Sequence, residues 1–165
     1  MSAEYLITGL PRMRSAWLSQ VLTTDSLPCI HARKDIPIPL PVSYGLSDPT
    51  DVCINPEAAL FEFAGKPVVV VLRNPVEAFE SSKRRFKDAV TPASWDFMVN
   101  NLSIFTQKRG KHKTLYVNYE DLNKPDTVQA LALHVGVLTR ISSILRLQML
   151  NIQQNDKCLP YINFL

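Results

Sequence analysis

The sequence predicts an α/β fold of three layers, in which helices cover both faces of a mostly parallel sheet. Strand-like apolar segments alternate with helix-like segments along the chain, as in proteins built from βαβ units. The stretch Pro67–Leu72 has five consecutive apolar residues after one proline, which is typical of a central strand buried on both faces. A chain of 165 residues has the length of one domain, so we expect a single domain over residues 1–165.

The first third of the chain predicts a strand, a helix, a second strand and a long loop. Tyr5–Thr8 is a short apolar run, and Ser15–Thr23 carries an apolar face typical of a helix. That face consists of Trp17, Leu18, Val21 and Leu22. Leu27–Ala32 is predicted to be a short second strand. Four of the twelve prolines interrupt residues 34–49, so we expect a surface loop there, of the kind that often forms a lid or a binding segment.

The rest of the chain continues the alternation of helices and strands. Val52–Ile54 is predicted to be a brief strand, and a helix should run from Pro56 to about Ala64. The later elements are a strand over Pro67–Leu72, a helix over Pro75–Lys87, a helix with Trp95, Met98, Leu102 and Phe105 on one face, a basic turn over Lys108–Lys113, a strand over Thr114–Asn118, and helices over Asp126–Val135 and Arg140–Ile152. Residues 140–165 are therefore expected to form a C-terminal helical segment.

Composition limits the classes of function. The net charge of +3 suits an anionic ligand but is too small to indicate a nucleic acid partner. Cys29, Cys53 and Cys158 are widely spaced and form no CxxC pair, which argues against a disulfide framework and a structural zinc site, and no metal is expected. The sequence shows no signal peptide and no apolar run near the ~20 residues of a membrane span. We therefore expect a soluble, cytoplasmic protein that does not bind membranes.

The segment between the first strand and the first helix has the composition of a phosphate-binding loop. Backbone N–H groups of such a loop and of the first helical turn converge on an anion, and the helix dipole adds to the attraction. Gly9 permits the turn and Pro11 stiffens it, while Arg12 and Arg14 add positive charge. Ser15 is expected to cap the helix and to offer its hydroxyl to the phosphate. The ATP-binding form GxxxxGK[ST] is absent, because the second glycine and the lysine are missing.

The residues of this loop resemble the GxPRSGTTWL loop of sulfotransferases that use 3′-phosphoadenosine 5′-phosphosulfate (PAPS), and in particular a short branch common in phage genomes. The match covers Gly9, Pro11, Arg12, Trp17 and Leu18, with Ser15 in place of threonine, and the departures are Met13, Arg14 and Ala16. The resemblance implies that the loop holds the 5′-phosphosulfate through Gly9, Pro11, Arg12, Met13, Arg14, Ser15 and Ala16.

A second match lies at the end of the buried strand. The segment from Arg73 to Ser81 resembles the family's RNPxDxxxS motif, which implies that these two residues bind the 3′-phosphate. Independently of the family, Arg73 should lie at the end of a strand and the following helix N-terminus should face the same anion. Val76, Phe79 and Phe86 are expected to form the apolar face of that helix, which would leave Ser81 outside the apolar stripe.

A third match completes the resemblance. Residues 119–122, with the sequence YEDL, resemble a motif that sulfotransferases carry late in the core, so the matches cover most of Glu4–Val137. They imply a P-loop NTPase-like sulfotransferase fold with PAPS as co-substrate. The family's glycine-rich KxGxxGxW segment has no counterpart after Gly136. Either another segment, such as Ser82–Arg85, supplies the cations of that segment, or the nucleotide binds weakly or not at all.

Sulfonate transfer to a hydroxyl or amine acceptor needs a cation near the transferred group and a base for the acceptor. Arg12 is the expected cation. His31 is the first candidate for the base, because it is predicted to end a strand at the edge where α/β sheets bind ligands. Asp48, Asp51 and Glu57, which flank the proline-rich loop, are the alternatives.

Two other functions are compatible with the sequence. The first is a catalytically inactive sulfotransferase-fold protein that works as a nucleotide-binding or virion-associated module. The second is a P-loop kinase of a small molecule, which is disfavoured by the absent loop lysine and by the lack of an evident Mg²⁺-binding aspartate after a strand.

Overall fold

The computed structural model describes residues 2–33 and 43–137. In chain order the elements are β1 (Ser2–Gly9), α1 (Ser15–Leu22), β2 (Cys29–Ile30), β3 (Ser43–Ser47), α2 (Thr50–Ile54), α3 (Pro56–Glu62), β4 (Val68–Leu72), α4 (Pro75–Phe86), α5 (Pro92–Arg109), β5 (Thr114–Asn118) and α6 (Pro125–His134). Short 3-10 turns cover Lys87–Ala89 and Tyr119–Asn123. Residues 34–42 of the expected loop and the helix expected over Arg140–Ile152 lie outside the described residues.

The five strands form one parallel sheet in the order β2-β3-β1-β4-β5. The predicted α/β class is therefore confirmed, and every strand pair in the sheet is parallel. Strand β1 lies in the centre, and Gly9 at its end pairs with Val71 of β4. Since parallel strands end at the same edge, the loop after β1 and the residues after β3, β4 and β5 share the carboxyl edge of the sheet.

Helices cover both faces of this sheet. On one face, α1 and α6 pack against Tyr5 and Ile7 of β1. On the other face, α2, α3 and α5 pack against Leu6. Ala3 belongs to this second face even though it is two residues from Tyr5, because the register of β1 shifts between them and places Glu4 in a bulge. The connections after β1 and β3 thus leave toward opposite faces, which opens a crevice between the ends of these two strands.

The third strand corrects the sequence prediction. Residues Val52–Ile54 are helical within α2, and the strand lies at Ser43–Ser47, inside the segment expected to be a loop. The strand is hard to recognise because Gly45 interrupts its short pattern. The glycine is required by packing, since a Cβ at this position would lie 2.0 Å from Cζ of Tyr5.

Helix α4 also differs from its expected packing. Val76 and Phe86 are 65% and 49% exposed, so the predicted apolar face was wrong. The helix instead buries two small residues, Ala78 and Ser82. Ala78 packs in a buried cluster with Leu10, Cys53, Val90 and Trp95, and its small side chain lets α4 approach these residues closely. Phe79 is partly buried against the same cluster.

The expected basic turn over Lys108–Lys113 is partly structural. Helix α5 ends at Arg109, which is buried and donates hydrogen bonds to the carbonyl oxygens of Phe63 (2.6 Å) and Lys66 and to the hydroxyl of Thr114 (3.0 Å). Burial lowers the pKa of this guanidinium. Arg109 therefore ties α5 to the amino edge of the sheet, opposite the edge where the loop after β1 lies.

Candidate functional site

The loop between β1 and α1 is held in place by close packing at both ends. A Cβ on Gly9 would lie 2.6 Å from the carbonyl oxygen of Val71 and 3.0 Å from Sδ of Met13, so only glycine fits. The side chain of Met13 is fully buried beneath the loop, which leaves only its backbone to face a ligand. Cys53 of α2 donates a hydrogen bond from its thiol to the carbonyl oxygen of Gly9 (3.4 Å), and burial raises its pKa to about 12.

The start of α1 is not capped in the expected way. Arg14, with φ of 68°, occupies the position before the helix, and Ser15 is the first helical residue. The prediction that Ser15 caps the helix was therefore wrong, because Ser15 lies within the helix and the N-cap residue is Arg14, whose side chain makes no capping hydrogen bond. The carbonyl oxygen of Ser15 accepts a hydrogen bond from the hydroxyl of Ser47 (2.8 Å). The first N–H groups of α1 are thus left to other acceptors, as in anion-binding helix termini.

Arg73, Arg12 and Ser81 meet at this edge, although they come from three different elements. Arg73 donates from Nη1 to the carbonyl oxygen of Arg12, and Arg12 donates from Nε to the hydroxyl of Ser81 (3.2 Å). The guanidinium of Arg73 lies 4.0 Å from the centre of the Tyr119 ring, a cation–π contact. The Nε atom of Arg73 is buried and has no hydrogen-bond partner within the described residues. An acceptor from a ligand would satisfy this donor.

Three other arginines act electrostatically on Arg12. Burial lowers the pKa of Arg12, and the charges of Arg85, Arg73 and Arg84 lower it further, whereas Tyr119 acts in the opposite direction. Among the described residues, no carboxylate contributes to this shift. Like charges at short range repel, so these surroundings of Arg12 favour an anionic ligand.

Arg14 points across the site and not into solvent. Its guanidinium lies 4.1 Å from the ring centre of Trp17, and its Nη1 donates to the side-chain oxygen of Asn123 (3.0 Å). Burial lowers its pKa, and Tyr119 again opposes the shift. Arg14 therefore connects the loop after β1 with the turn after β5. Pro11 and Arg14 belong to the segment that joins β1 to α1, Ala16 belongs to the first turn of α1, and all three are half-buried.

Two candidate bases lie at the carboxyl edge of the sheet. Asp48 follows β3, the strand next to β1, and is only 4% exposed. Its carboxylate accepts hydrogen bonds from the backbone N–H groups of Thr50 (2.8 Å) and Arg33 (3.4 Å). His31 follows β2, which is roughly 10 Å from β1 at two strand spacings. The Nδ1 atom of His31 is buried and has no hydrogen-bond partner in the described part of the chain.

The other two candidates have partners elsewhere. Asp51 forms an ion pair with Arg33, which also pairs with Glu62 of α3. Glu57 lies on α3 and pairs with Lys108 of α5. Both carboxylates thus help to hold helices together, and the structure does not bring Glu57 to the site.

Sequence reasoning did not assign Tyr119 to the site. Tyr119 was recognised only as part of a motif, yet it follows β5 directly and contacts Arg73. The rule that ligands bind beyond the carboxyl ends of strands would have identified it. The role of Asn123 as acceptor for Arg14 has no signal in the sequence, because the two residues are 109 positions apart.

Residues 2–33 and 43–137 hold neither a metal-binding cluster nor a membrane-spanning helix. No group of three or more His, Cys, Asp or Glu side chains is arranged to hold a metal ion in these segments. Within the same segments, no helix combines the length and the apolar character needed to cross a membrane.

No protein-family model and no curated protein sequence matches the chain. The structure, however, is similar to the crystal structure of a sulfotransferase from Alicyclobacillus acidocaldarius. The TM-score is 0.59 at 10% sequence identity, and the match covers 86% of this chain and 85% of that one. At this identity the similarity shows the fold alone. The chain therefore has a sulfotransferase-like fold.

Proposed function

We propose that this protein is a PAPS-dependent sulfotransferase that transfers a sulfonate group to a hydroxyl or amine acceptor. One observation carries the proposal: the three motifs bring Arg12, Arg73, Ser81 and Tyr119 together at the carboxyl edge of a sulfotransferase-like fold. A PAPS molecule carries anionic groups at both ends of its ribose. The arginine cluster offers matching cations on the loop after β1 and on the segment after β4.

In this proposal the residues divide into two groups. The N-terminus of α1 and the side chains of Arg12 and Arg14 hold the 5′-phosphosulfate, while Arg73 and Ser81 hold the 3′-phosphate. During transfer the acceptor oxygen or nitrogen bonds to sulfur, the bond from sulfur to the 5′-phosphate oxygen breaks, and the acceptor proton moves to a base. Adenosine 3′,5′-bisphosphate and the sulfated acceptor are the products. Arg12 would stabilise the charge that develops on the leaving phosphate.

Two residues compete for the role of the base. Asp48 lies beside the central strand, and each of its oxygens retains an acceptor site after the contacts with Thr50 and Arg33. His31 lies one strand farther out, but its Nδ1 atom has no protein partner in the described residues. Asp48→Asn and His31→Ala separate them. Loss of the true base should lower kcat by about 100-fold or more and leave nucleotide affinity unchanged.

The first test is calorimetric titration with adenosine 3′,5′-bisphosphate and with ATP, each in the presence and absence of Mg²⁺. We expect metal-independent binding of the bisphosphate and weaker binding of ATP. Mg²⁺-dependent binding of ATP would instead support a small-molecule kinase. Binding of neither nucleotide would mean that the fold is not used for this chemistry.

The second test separates an enzyme from an inactive nucleotide-binding module. The purified protein is incubated with radiolabelled PAPS and pools of phenols, alcohols, sugars and amines. Transfer of label to an acceptor, abolished in Arg12→Ala, supports the enzyme. Bisphosphate binding without any transfer across these pools would favour the module.

A further inference from the structure

The guanidinium of Arg73 is held by the protein at one donor and on one face. Its Nη1 donates to the carbonyl oxygen of Arg12, and one face of the group lies 4.0 Å from the ring centre of Tyr119. Its Nε is buried without a hydrogen-bond partner in the described residues, and Nη2 has no acceptor among them either. The edge that Nε and Nη2 form together is therefore the part of this guanidinium that lacks a protein partner.

This edge has the geometry of a phosphate-binding group. The N–H bonds of Nε and Nη2 are nearly parallel and lie in one plane, so they can bond to two oxygens of the same phosphate at once. Such a paired contact depends on the orientation of the plane, because a tilted guanidinium reaches only one of the two oxygens. What fixes the plane of Arg73 therefore decides how well the edge works.

The hydrogen bond to Arg12 does not fix that plane by itself. A guanidinium held at one nitrogen can still turn about this bond, and ordering it on binding would cost conformational entropy. The contact with Tyr119 removes this freedom, because a guanidinium that stacks on a ring shares the orientation of the ring. The two contacts together orient Arg73 before any ligand arrives.

Tyr119 is well placed for this task because its own ring is anchored. The residue follows β5 directly and begins the 3-10 turn Tyr119–Asn123, which is held by the fully buried Leu122. The Tyr119 ring is partly buried against the core cluster that α1 and α6 form with the sheet. Packing against this cluster requires only an apolar side chain, whereas the contact with Arg73 requires the face of an aromatic ring.

We infer that Tyr119 is a positioning residue for the second anionic group of the ligand. It acts through Arg73, by holding the guanidinium in the plane in which Nε and Nη2 meet two oxygens of this group. The inference rests on the proposed function, in which the group is the 3′-phosphate of the nucleotide. The role belongs to the face of the ring, and neither the hydroxyl of Tyr119 nor a contact between Tyr119 and the ligand is part of it.

The experiment compares two nucleotides that differ only in the 3′-phosphate. Adenosine 3′,5′-bisphosphate and adenosine 5′-monophosphate are titrated into the wild type, Tyr119→Phe and Tyr119→Leu, and into Arg73→Ala with and without Tyr119→Leu. Tyr116→Leu is the matched control, because Tyr116 lies on β5, packs on the opposite face of the sheet and donates its hydroxyl to the carbonyl oxygen of Gly110. Thermal unfolding confirms that each variant is folded.

We expect Tyr119→Leu to weaken binding of the bisphosphate about tenfold, the effect of one strong cation–π contact. Its affinity for the monophosphate should stay within about twofold, because this nucleotide lacks the group that Arg73 binds. Tyr119→Phe keeps the ring face and should restore the affinity for the bisphosphate to within about twofold of the wild type. In the Arg73→Ala background, Tyr119→Leu should cause no further loss, since its effect passes through Arg73.

Four results would overturn the inference. An unchanged affinity of Tyr119→Leu would show that the ring is not needed, and an equal loss for both nucleotides would show that the ring serves the nucleoside. A loss in Tyr119→Phe as large as in Tyr119→Leu would assign the role to the hydroxyl. A further loss in the Arg73→Ala background, or the same loss in Tyr116→Leu, would show that Tyr119 does not act through Arg73.

The proposed function fails by a different result. In each of these four cases the wild type still binds the bisphosphate, so the nucleotide site remains. A wild-type protein that does not bind the bisphosphate would overturn the proposed function, and the role of Tyr119 with it.

Discussion

Replacing Arg73 by alanine tests the site most directly. In the free protein, Arg73 donates from Nη1 to the carbonyl oxygen of Arg12 and stacks on Tyr119 at 4.0 Å. Its Nε donor is buried and has no partner in the described structure. One donor of the Arg73 guanidinium, Nη1, is therefore used by the carbonyl oxygen of Arg12, and the other donors are available to a phosphate.

The size of the effect follows from these donors. Loss of two charge-assisted hydrogen bonds to the 3′-phosphate should cost on the order of 2–4 kcal/mol of binding free energy. This corresponds to a loss of affinity of roughly 30- to 700-fold. Arg73→Lys should fall between alanine and the wild type, because lysine keeps the charge but lacks the planar fork of donors and the stacking on Tyr119.

The assay is calorimetric titration with adenosine 3′,5′-bisphosphate. Lys111→Gln, which removes one exposed positive charge at the opposite edge of the sheet, controls for the change in net charge. Thermal unfolding separates a loss of binding from a loss of fold, since Arg73 also anchors the loop through Arg12. A folded Arg73→Ala variant that binds the bisphosphate as tightly as the wild type would refute the site assignment. Equal affinities for the lysine and arginine forms would refute the argument from the planar fork.

Three further substitutions test the fold around the site. Gly45→Ala should lower the free energy of unfolding, measured by urea denaturation, by at least about 2 kcal/mol, because its Cβ would overlap the Tyr5 ring. In a Tyr5→Leu background the same substitution should cause a smaller loss of stability. Arg109→Met should cost about 2–4 kcal/mol by leaving buried carbonyls without a donor, with bisphosphate affinity unchanged, and a parallel loss of affinity would contradict this. The hydrogen bond from Lys124 is the main cause that lowers the pKa of Asp121, so this residue stabilises the fold above its unfolded pKa and loses the effect as pH falls through the folded one. Asp121→Asn should therefore lower the melting temperature at pH 7 but not at a pH well below the folded pKa of Asp121, and an equal decrease at both pH values would exclude the ionic contribution.

Much of the sheet could be predicted because its strands are local patterns. The apolar run over β4 can be recognised from the local sequence alone. The same holds for the order of strand, loop and helix around Gly9. The same patterns place Arg12 and Arg73 at strand ends, where a parallel sheet collects ligand-binding residues. The confirmed part of the prediction is therefore the fold class, which follows from these runs.

The errors arise where distant residues decide local structure. Strand β3 contains Gly45 because the ring of Tyr5 on the neighbouring strand occupies the space of a side chain. Helix α4 buries Ala78 and not Val76 because the layer against which it packs comes from other parts of the chain. Periodicity within one segment cannot reveal such contacts, since they depend on which segments become neighbours.

Arg14 shows how the loop combines backbone strain with charge. Its φ of 68° suits glycine, which the related loop motif has at this position, and a side chain there costs about 1 kcal/mol. The stack on Trp17 and the hydrogen bond to Asn123 offset a comparable amount.

Arg14→Gly should therefore leave the free energy of unfolding nearly unchanged, whereas Arg14→Ala, which keeps the strain and loses both contacts, should be about 1 kcal/mol less stable than the glycine variant. Urea denaturation measures this difference. Alanine and glycine variants of equal stability would show that the backbone is not strained at this position. If both variants also lose the same affinity for adenosine 3′,5′-bisphosphate, the charge of Arg14 serves the ligand, and the backbone strain is the cost of placing that charge in the loop.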